Sequence, residues 1–276
     1  MKIKFLGTAA AEGIPALFCD CEICERVRGL GGKNIRTRSQ ALINDDLLID
    51  FPADTYLHVL NYGLELHKIN NCIITHNHSD HFYPADFRMR APGFANLKDN
   101  APFNVYGNNK VCETLLSDNM VSDMVKKHKC FTVNEVKAFE VFTVAGYKIT
   151  PLKADHGAEN TLMYLIERDG KSLLYAHDTG IFPEETWKWL EGNRPHIDFA
   201  TFDCCYGLAP CNENHMGFDA VLLVVNRLKD IGVTDEKTIL CVNHFSHNYE
   251  AIYDDMKKHS EKYGIITSYD GMEAEF

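Results

Sequence analysis

A chain of 276 residues with 45% hydrophobic and 24% charged residues has the composition of an ordinary globular protein with a sizeable core. The net charge of −11 argues against a nucleic-acid-binding surface, because such surfaces need clustered Lys and Arg. It does not exclude a phosphate-bearing substrate if metal ions in the site supply the positive charge.

The location of the protein is predicted from its opening segment and its cysteines. KIKFLGT, after the first Met, is more typical of a strand than of a signal peptide, and no run of about 18 apolar residues predicts a membrane span. We therefore expect a cytoplasmic protein without a membrane partner. Its ten cysteines would stay mostly reduced, and their clustering indicates metal rather than disulfides.

Apolar runs typical of strands recur along the chain, with helical stretches between them. The strand-like runs are KIKFLGT, ALIND, LLIDF, NCIITH, FNVYG, EVFTVAGYKITPLKA, TLMYLIERDGKSLLYAHD, HIDFATFDC and KTILCVNHFS. VAGYKI and IERDGKSL are hairpin signals, the second with Asp169-Gly170 at its turn. Helices are predicted over 53–62, 111–127, 184–190 and 218–231, with Asp54 capping the first and Asp219 in the first turn of the last. Without repeats or linkers, this order predicts one domain, 1–276, in which helices cover two sheets.

The segment THNHSDH, residues 75–81, concentrates ligand-type side chains directly after a buried-type strand. His76 and His78 lie two residues apart, so in an extended segment they face the same side and can bind one metal ion. Asp80 and His81 follow in the loop and suit a second ion nearby. Such a density of imidazole and carboxylate indicates a metal site rather than a solvated loop.

Three later strands also end in ligand-type residues, which could complete two metal shells. His156 follows YKITPLKA, Asp178 follows KSLLYA, and His244 follows KTILCV. His177 competes with Asp178, but a carboxylate can bridge two cations and an imidazole cannot, so Asp178 is preferred.

The order HNHSDH followed by separate His, Asp and His motifs resembles the metallo-β-lactamase superfamily over nearly the whole chain. The resemblance implies an α/β fold, the αββα sandwich of two mixed β-sheets flanked by helices. It implies a dinuclear site of zinc or manganese, with iron as a further candidate. Carried over by motif, one ion would be held by His76, His78 and His156. The other would be held by Asp80, His81 and His244, with Asp178 bridging.

A second metal site is predicted in FCDCEICER, where Cys19, Cys21 and Cys24 form a C-x-C-x-x-C pattern that lacks one ligand. From the residues alone, the fourth ligand stays open among His247, Cys204, Cys205 and Cys211. GTAAAEGIPALFCDCEIC together with HFSH resembles the cyclic phosphodiesterases of the carbon–phosphorus lyase (phosphonate) pathway, which implies a Cys3His structural zinc with His247. Such a zinc would tie the N-terminal loop, 19–24, to the last catalytic loop.

The same resemblance implies the reaction, hydrolysis of a small, cyclic or acyclic, phosphodiester by a hydroxide bound between two ions. Asp80 and His215 are the candidate catalytic residues, since a histidine at the His215 position contacts phosphate and protonates the leaving oxygen in that branch. Asp203 could orient a neighbouring imidazole or cap its strand. Arg88 and Arg90 could meet a phosphate or lie on a solvated helix face.

Three alternatives stay open at this point. The same centre could hydrolyse lactones or thioesters, which need no phosphate-contacting histidine, or it could be a diiron oxidoreductase. A non-catalytic metal-binding scaffold is disfavoured because all seven ligands are present.

The charge and the lack of a basic arm predict a small substrate rather than a nucleic-acid polymer. The family resemblance implies a homodimer.

Overall fold

Two mixed β-sheets pack face to face in the protein, seen in a computed structural model that describes residues 1–99, 101–249 and 252–276. The described part of the first sheet has the order β14-β1-β2-β3-β4-β5-β6, and that of the second β13-β12-β11-β10-β9-β8-β7. The strands are β1 (Lys2–Gly7), β2 (Gln40–Ile43), β3 (Leu47–Ile49), β4 (Asn71–Ile73), β5 (Phe103–Gly107), β6 (Phe131–Glu135), β7 (Phe142–Val144), β8 (Tyr147–Lys153), β9 (Leu162–Arg168), β10 (Lys171–Ala176), β11 (Phe199–Asp203), β12 (Ile239–Asn243), β13 (Ile265–Thr267) and β14 (Glu273–Glu275).

Helices cover the outer faces of both sheets. They are α1 (Glu22–Leu30), α2 (Thr55–Tyr62), α3 (Asn109–Ser117), α4 (Asn119–Asp123), α5 (Glu184–Asn193), α6 (Phe218–Asp230) and α7 (Tyr253–Ser260). This αββα arrangement confirms the predicted fold class. Among the helices within the described ranges, none is long and apolar enough to cross a bilayer.

Three apolar layers hold the sandwich together. The central layer lies between the sheets and includes Phe5 of β1 and Tyr164 of β9, both fully buried. A second layer packs α5 and α6 on one sheet through residues such as Trp187. The third packs α3 on the other sheet through residues such as Val111. Strands that are buried on both faces read as continuous apolar runs, which is why their sequence signal is strong.

Both predicted hairpins form. β7 pairs with β8 and β9 pairs with β10, antiparallel in each case. Asp169 (φ 52°) and Gly170 (φ 75°) both take the left-handed conformation that a tight two-residue turn requires.

Several local predictions were wrong. The helix expected over 111–127 is broken at Asp118, whose extended backbone and side-chain bond to the Val121 amide start α4 anew. Asp54 precedes α2 but does not cap it with its side chain, because its carboxylate binds the amide and guanidinium of Arg38. α1, α7 and the strands β6, β13 and β14 were missed. β6 and β14 lie at sheet edges, where short or polar strands give a weak signal.

The parallel strands of the second sheet determine where the chemistry gathers. β10, β11 and β12 run parallel, so the loops that follow them leave the same edge of the sheet. β4 of the facing sheet ends just before the histidine-rich segment 75–81. Ligand-type residues far apart in the chain are thereby brought to one end of the sandwich.

Candidate metal centre

The residues predicted as ligands from strand ends do meet in space. His76 and His78 follow β4, His156 follows β8, Asp178 follows β10 and His244 follows β12. Asp178 (φ 50°) and His244 (φ 62°) adopt the left-handed backbone conformation that residues other than Gly rarely take. Such backbone conformations cluster at functional sites, where the surrounding structure holds them.

His76, His78 and His156 form one group that could hold a metal ion. Nε2 of His156 lies 3.3 Å from Nδ1 of His78, and the rings of His76 and His78 are 4.6 Å apart. Tetrahedral zinc with Zn–N bonds of about 2.0–2.1 Å brings its nitrogens to about 3.3–3.4 Å. Burial holds the pKa of His76 well below its usual value, so the imidazole is neutral, as a ligand must be.

A second group surrounds Asp178, which contacts both halves of the site. Its Oδ2 lies 2.8 Å from Nε2 of His81 and 3.1 Å from Nε2 of His244. Its Oδ1 faces the first group, 3.7 Å from Nε2 of His156. Asp80 adds an oxygen 3.3 Å from Nε2 of His81. Asp178 thus has the placement expected of a bridging carboxylate.

Unpartnered buried atoms show that these residues fit divalent cations. Within residues 1–99, 101–249 and 252–276, the buried Nε2 of His76 has no hydrogen-bond partner. Oδ2 of Asp178 is also buried, and its contacts with the imidazoles of His81 and His244 lack the alignment of hydrogen bonds. Although burial alone would lower it, Asp178, Asp80 and Asp50 raise the pKa of His81 well above its usual value. The three carboxylates therefore stabilise a proton on the imidazole of His81. A cation bound there would replace that proton.

His177, the rival of Asp178 in the sequence, lies below the site. Its Nε2 is 2.9 Å from Oγ1 of Thr201, and its ring packs 3.9 Å from that of Tyr175. It is a fully buried histidine that contacts side chains of β10 and β11.

Asp50 and Thr75 complete the surroundings of His81 and were missed in the sequence. Oδ2 of Asp50 lies 2.7 Å from Nδ1 of His81, and Oδ1 accepts the amide of Thr75 at 2.8 Å. An outer carboxylate on the second nitrogen of an imidazole fixes its tautomer and orientation. The available signal was an acid at the end of the apolar run LLID, the same signal that indicated Asp178.

His215 lies at the same end of the sandwich, on the loop between β11 and α6. Its Nδ1 is 2.8 Å from Oδ2 of Asp203 and 4.0 Å from Oδ1 of Asp178. Its ring stacks on His244, with 5.6 Å between centroids. Burial alone would lower the pKa of His215, but the charges of Asp203 and Asp178 raise it to about 9. Asp203 is itself fully buried and also accepts the amide of Asp178 at 3.1 Å.

The cysteine pattern closes around His247 and not around Cys204, Cys205 or Cys211. Nδ1 of His247 lies 3.7, 3.5 and 3.5 Å from the sulfurs of Cys19, Cys21 and Cys24. A tetrahedral zinc with Zn–S near 2.3 Å would place these atoms about 3.5 Å apart. Hydrogen bonds from the backbone amide of Cys24, the larger effect, and from His247 lower the pKa of Cys21 to about 6. The lowered pKa favours the thiolate that metals bind.

Glu12, which the sequence did not single out, lies on the other side of that imidazole. Its Oε1 is 3.8 Å from Nε2 of His247 and accepts hydrogen bonds from Ser246 and Asn248. This carboxylate therefore connects the opening loop GTAAAEG to the segment HFSHN.

The two arginines considered for phosphate binding contact other groups. Arg88 is exposed and pairs with Asp118, while Arg90 donates to the carbonyl of Ala101 at 2.8 Å. Arg90 also lines an apolar cavity of about 190 Å³ with Phe87, Phe103 and other residues. A phosphate role for either arginine has no support from these contacts.

Comparisons with known proteins agree with this architecture. Coenzyme PQQ synthesis protein B of Methylorubrum extorquens is 24% identical in an alignment 204 residues long, and the match covers 63% of this chain and 64% of the relative. The alignment thus spans less than two thirds of that curated relative.

Two solved structures share the fold over the full chain. A new diphosphatase from the PhnP family has a TM-score of 0.73 and 22% identity, covering 100% of this chain and 98% of the other. Zn²⁺-bound PqqB from Methylobacterium extorquens also has a TM-score of 0.73, with 19% identity and full coverage of both chains. The family model of the β-lactamase superfamily domain matches residues 50–241, well over half of the sequence. The protein therefore belongs to the metallo-β-lactamase superfamily.

Proposed function

We propose that the protein is a metal-dependent phosphodiesterase that hydrolyses a small phosphodiester. The observation that carries the proposal is the pair His215 and Asp203, 2.8 Å apart beside the candidate metal ligands. A cyclic or acyclic substrate satisfies this argument equally. The similarity to a PhnP-family diphosphatase supports the fold, and the choice of reaction rests on the site.

The argument from His215 concerns the leaving group. When a phosphodiester is hydrolysed, water adds to phosphorus, one P–O ester bond breaks, and the departing alkoxide needs a proton. Asp203 engages Nδ1 of His215, so Nε2 is the nitrogen that would deliver that proton. Against the effect of burial, the charges of Asp203 and Asp178 raise the pKa of His215, which favours the protonated imidazole that a general acid requires.

The remaining residues would bind metal and orient one another. His76, His78 and His156 would hold one cation, and Asp80, His81 and His244 the other, with Asp178 between them. Divalent ions bound there would lower the pKa of a water molecule and withdraw charge from the phosphoryl oxygens. Asp50 would fix the ring of His81 through its Nδ1 atom. Asp203 would do the same for the rings of His244 and His215.

The test is hydrolysis of bis(p-nitrophenyl) phosphate, and of a phosphodiester with a poorer leaving group, by metal-stripped protein reloaded with zinc or manganese. We expect metal-dependent turnover that His76→Ala abolishes. His215→Ala should reduce turnover of the poorer leaving group by about 100-fold, which is within the usual contribution of general acid catalysis. His196→Ala is the matched control, because His196 is an exposed histidine near Asp198, outside the ligand groups.

Lactone and thioester substrates are assayed in parallel. Cleavage of these esters without phosphodiester turnover, and with His215→Ala fully active, would contradict the proposal and favour an ester hydrolase on the same centre. Visible absorption of the iron-reconstituted protein, with no hydrolysis of any substrate, would favour a diiron oxidoreductase.

A further inference from the structure

The loop that carries His215, residues 204–217, is fixed at its base by its own backbone. We refer to these residues as the His215 loop. The amide of Tyr206 donates to the carbonyl of Met216 at 3.1 Å, and the amide of Gly217 donates to Cys211 at 2.9 Å. These bonds close the loop near β11. They do not hold its tip, Asn212–Asn214, which is exposed.

Asp155, in the segment that follows β8, provides one contact for the tip. Its Oδ2 accepts the backbone amide of Asn214 at 3.1 Å. Asp155 is itself held in place, since its amide donates to Oγ1 of Thr179 at 3.0 Å and its carbonyl accepts the amide of Gly180 at 2.9 Å. The backbone of Asp155 is therefore fixed on both sides of its side chain, and the residue is half-buried.

The carbonyl of the same residue, Asn214, faces His156. Nδ1 of His156 donates to this carbonyl at 3.0 Å, which leaves Nε2 directed toward His78 and Asp178. Asn214 has a φ of 60°, a left-handed conformation that Asn tolerates, and its amide and carbonyl are bound by consecutive residues, Asp155 and His156. One residue of the loop thus contacts both the acid and a candidate ligand.

Gly180 lets the loop tip come this close. A Cβ built there would lie 2.5 Å from the carbonyl oxygen of Asn212, 2.5 Å from Oδ2 of Asp155 and 2.7 Å from Cα of Glu213. The neighbouring amide of Ile181 donates to that same Asn212 carbonyl at 2.9 Å. Any side chain at position 180 would push the loop tip outward.

We propose that Asp155 is a positioning residue, whose carboxylate holds the backbone of Asn214 and thereby fixes His215 and His156 relative to each other. The His215 ring, one residue further on, lies 4.9 Å from that of His156. The proposal rests on the phosphodiesterase function only for the role of His215. The placement of the loop by Asp155 holds for any reaction at this site.

The first experiment measures the placement of the loop without any substrate. Amide hydrogen exchange over residues 210–216 is followed in zinc-loaded wild type, Asp155→Ala and Asp155→Asn. We expect exchange at least 10-fold faster in Asp155→Ala and near-normal exchange in Asp155→Asn, because the amide oxygen of Asn can still accept the bond. Gly180→Ala, whose methyl group would collide with both Oδ2 of Asp155 and the loop tip, should resemble Asp155→Ala. Unchanged exchange in Asp155→Ala would overturn the proposal.

The second experiment measures the consequence for proton delivery. Hydrolysis rates are compared over a series of methyl aryl phosphates whose leaving phenols decrease in acidity. We expect Asp155→Ala to lose about 10-fold with the poorest leaving group and little with p-nitrophenolate, in the same direction as His215→Ala. Asp155→Asn should restore the wild-type dependence. Glu185→Ala is the matched control, since Glu185 is an acid of α5 that pairs with Lys153 at the surface.

The two experiments separate the two proposals. If wild type hydrolyses no phosphodiester, the proposed function fails, and the exchange experiment still decides whether Asp155 holds the loop. If exchange increases in Asp155→Ala but all leaving groups slow equally, Asp155 does not position His215 and the inference is wrong.

Discussion

The carboxylate of Asp50 lies 2.7 Å from Nδ1 of His81, on the side of the imidazole opposite the 2.8 Å contact between Nε2 and Asp178. All three side chains are almost completely buried. Asp50 accordingly fixes the ring of His81 in the orientation that directs Nε2 to the centre of the site.

Asp50→Asn should weaken binding of the metal near His81 by about 10- to 100-fold, the usual effect of losing an outer partner of a ligating histidine. Asn matches Asp in size and tolerates the φ of 63° at this position, so the backbone is preserved. Competition with a chromophoric chelator measures the affinity. Asp45→Asn, a neighbouring exposed acid that pairs with Lys2, is the control. Equal affinity in Asp50→Asn and wild type would show that Asp50 is dispensable for binding.

Cys21→Ser should lower the zinc content by one equivalent and leave metal bound at the histidine and aspartate groups, because the cysteine cluster contains a separate set of ligands. Structural zinc contributes folding free energy, so thermal unfolding should occur at a lower temperature. Elemental analysis and calorimetry measure both effects. Cys130→Ser, which lies outside the cluster, should change neither. Unchanged zinc content in Cys21→Ser would remove the basis for this site.

His58 should make unfolding depend on pH. It is buried between Gln40 and Thr37, and burial lowers its pKa from 6.5 to about 4. Between pH 6.5 and 4, His58 is therefore protonated in the unfolded chain but neutral in the folded chain. The free energy of unfolding decreases as the pH falls through this range. The shift corresponds to about 3 kcal/mol over that window.

The measurement is the free energy of urea unfolding of wild type and His58→Gln at several pH values. The variant should be less stable at pH 7, and the difference should shrink on acidification because Gln does not titrate. His67→Gln, an exposed histidine, serves as the control. A difference that stays constant with pH would contradict the role of His58.

Arg88→Ala should leave kcat and KM for phosphodiesters within about twofold of wild type. Arg88 is an exposed residue whose guanidinium pairs with Asp118, and surface pairs of this kind contribute about 0–1 kcal/mol to stability. Steady-state kinetics with the substrates described above measure both constants. A large increase in KM would instead indicate that Arg88 binds the phosphate when substrate is present.

The sequence by itself determined the parts of this protein that depend on neighbours in the chain. The spacing of HNHSDH brings several ligand types together on one segment, and C-x-C-x-x-C does the same for three thiols. Apolar runs that end in His or Asp predicted strands whose loops gather at one end of a sandwich. The fold class followed from those runs and from a family resemblance, and the structure agrees with it.

Only the tertiary structure decided contacts between residues that no local pattern relates. Asp50 and His81 are 31 positions apart, and Asp155 and Asn214 are 59 apart. Asp54 has the sequence position of a helix cap, yet its carboxylate binds Arg38, which lies in the segment before β2. A polar side chain takes whichever partner lies within about 3 Å, and that choice is made by the packing of the two sheets, not by the residues beside it in the chain.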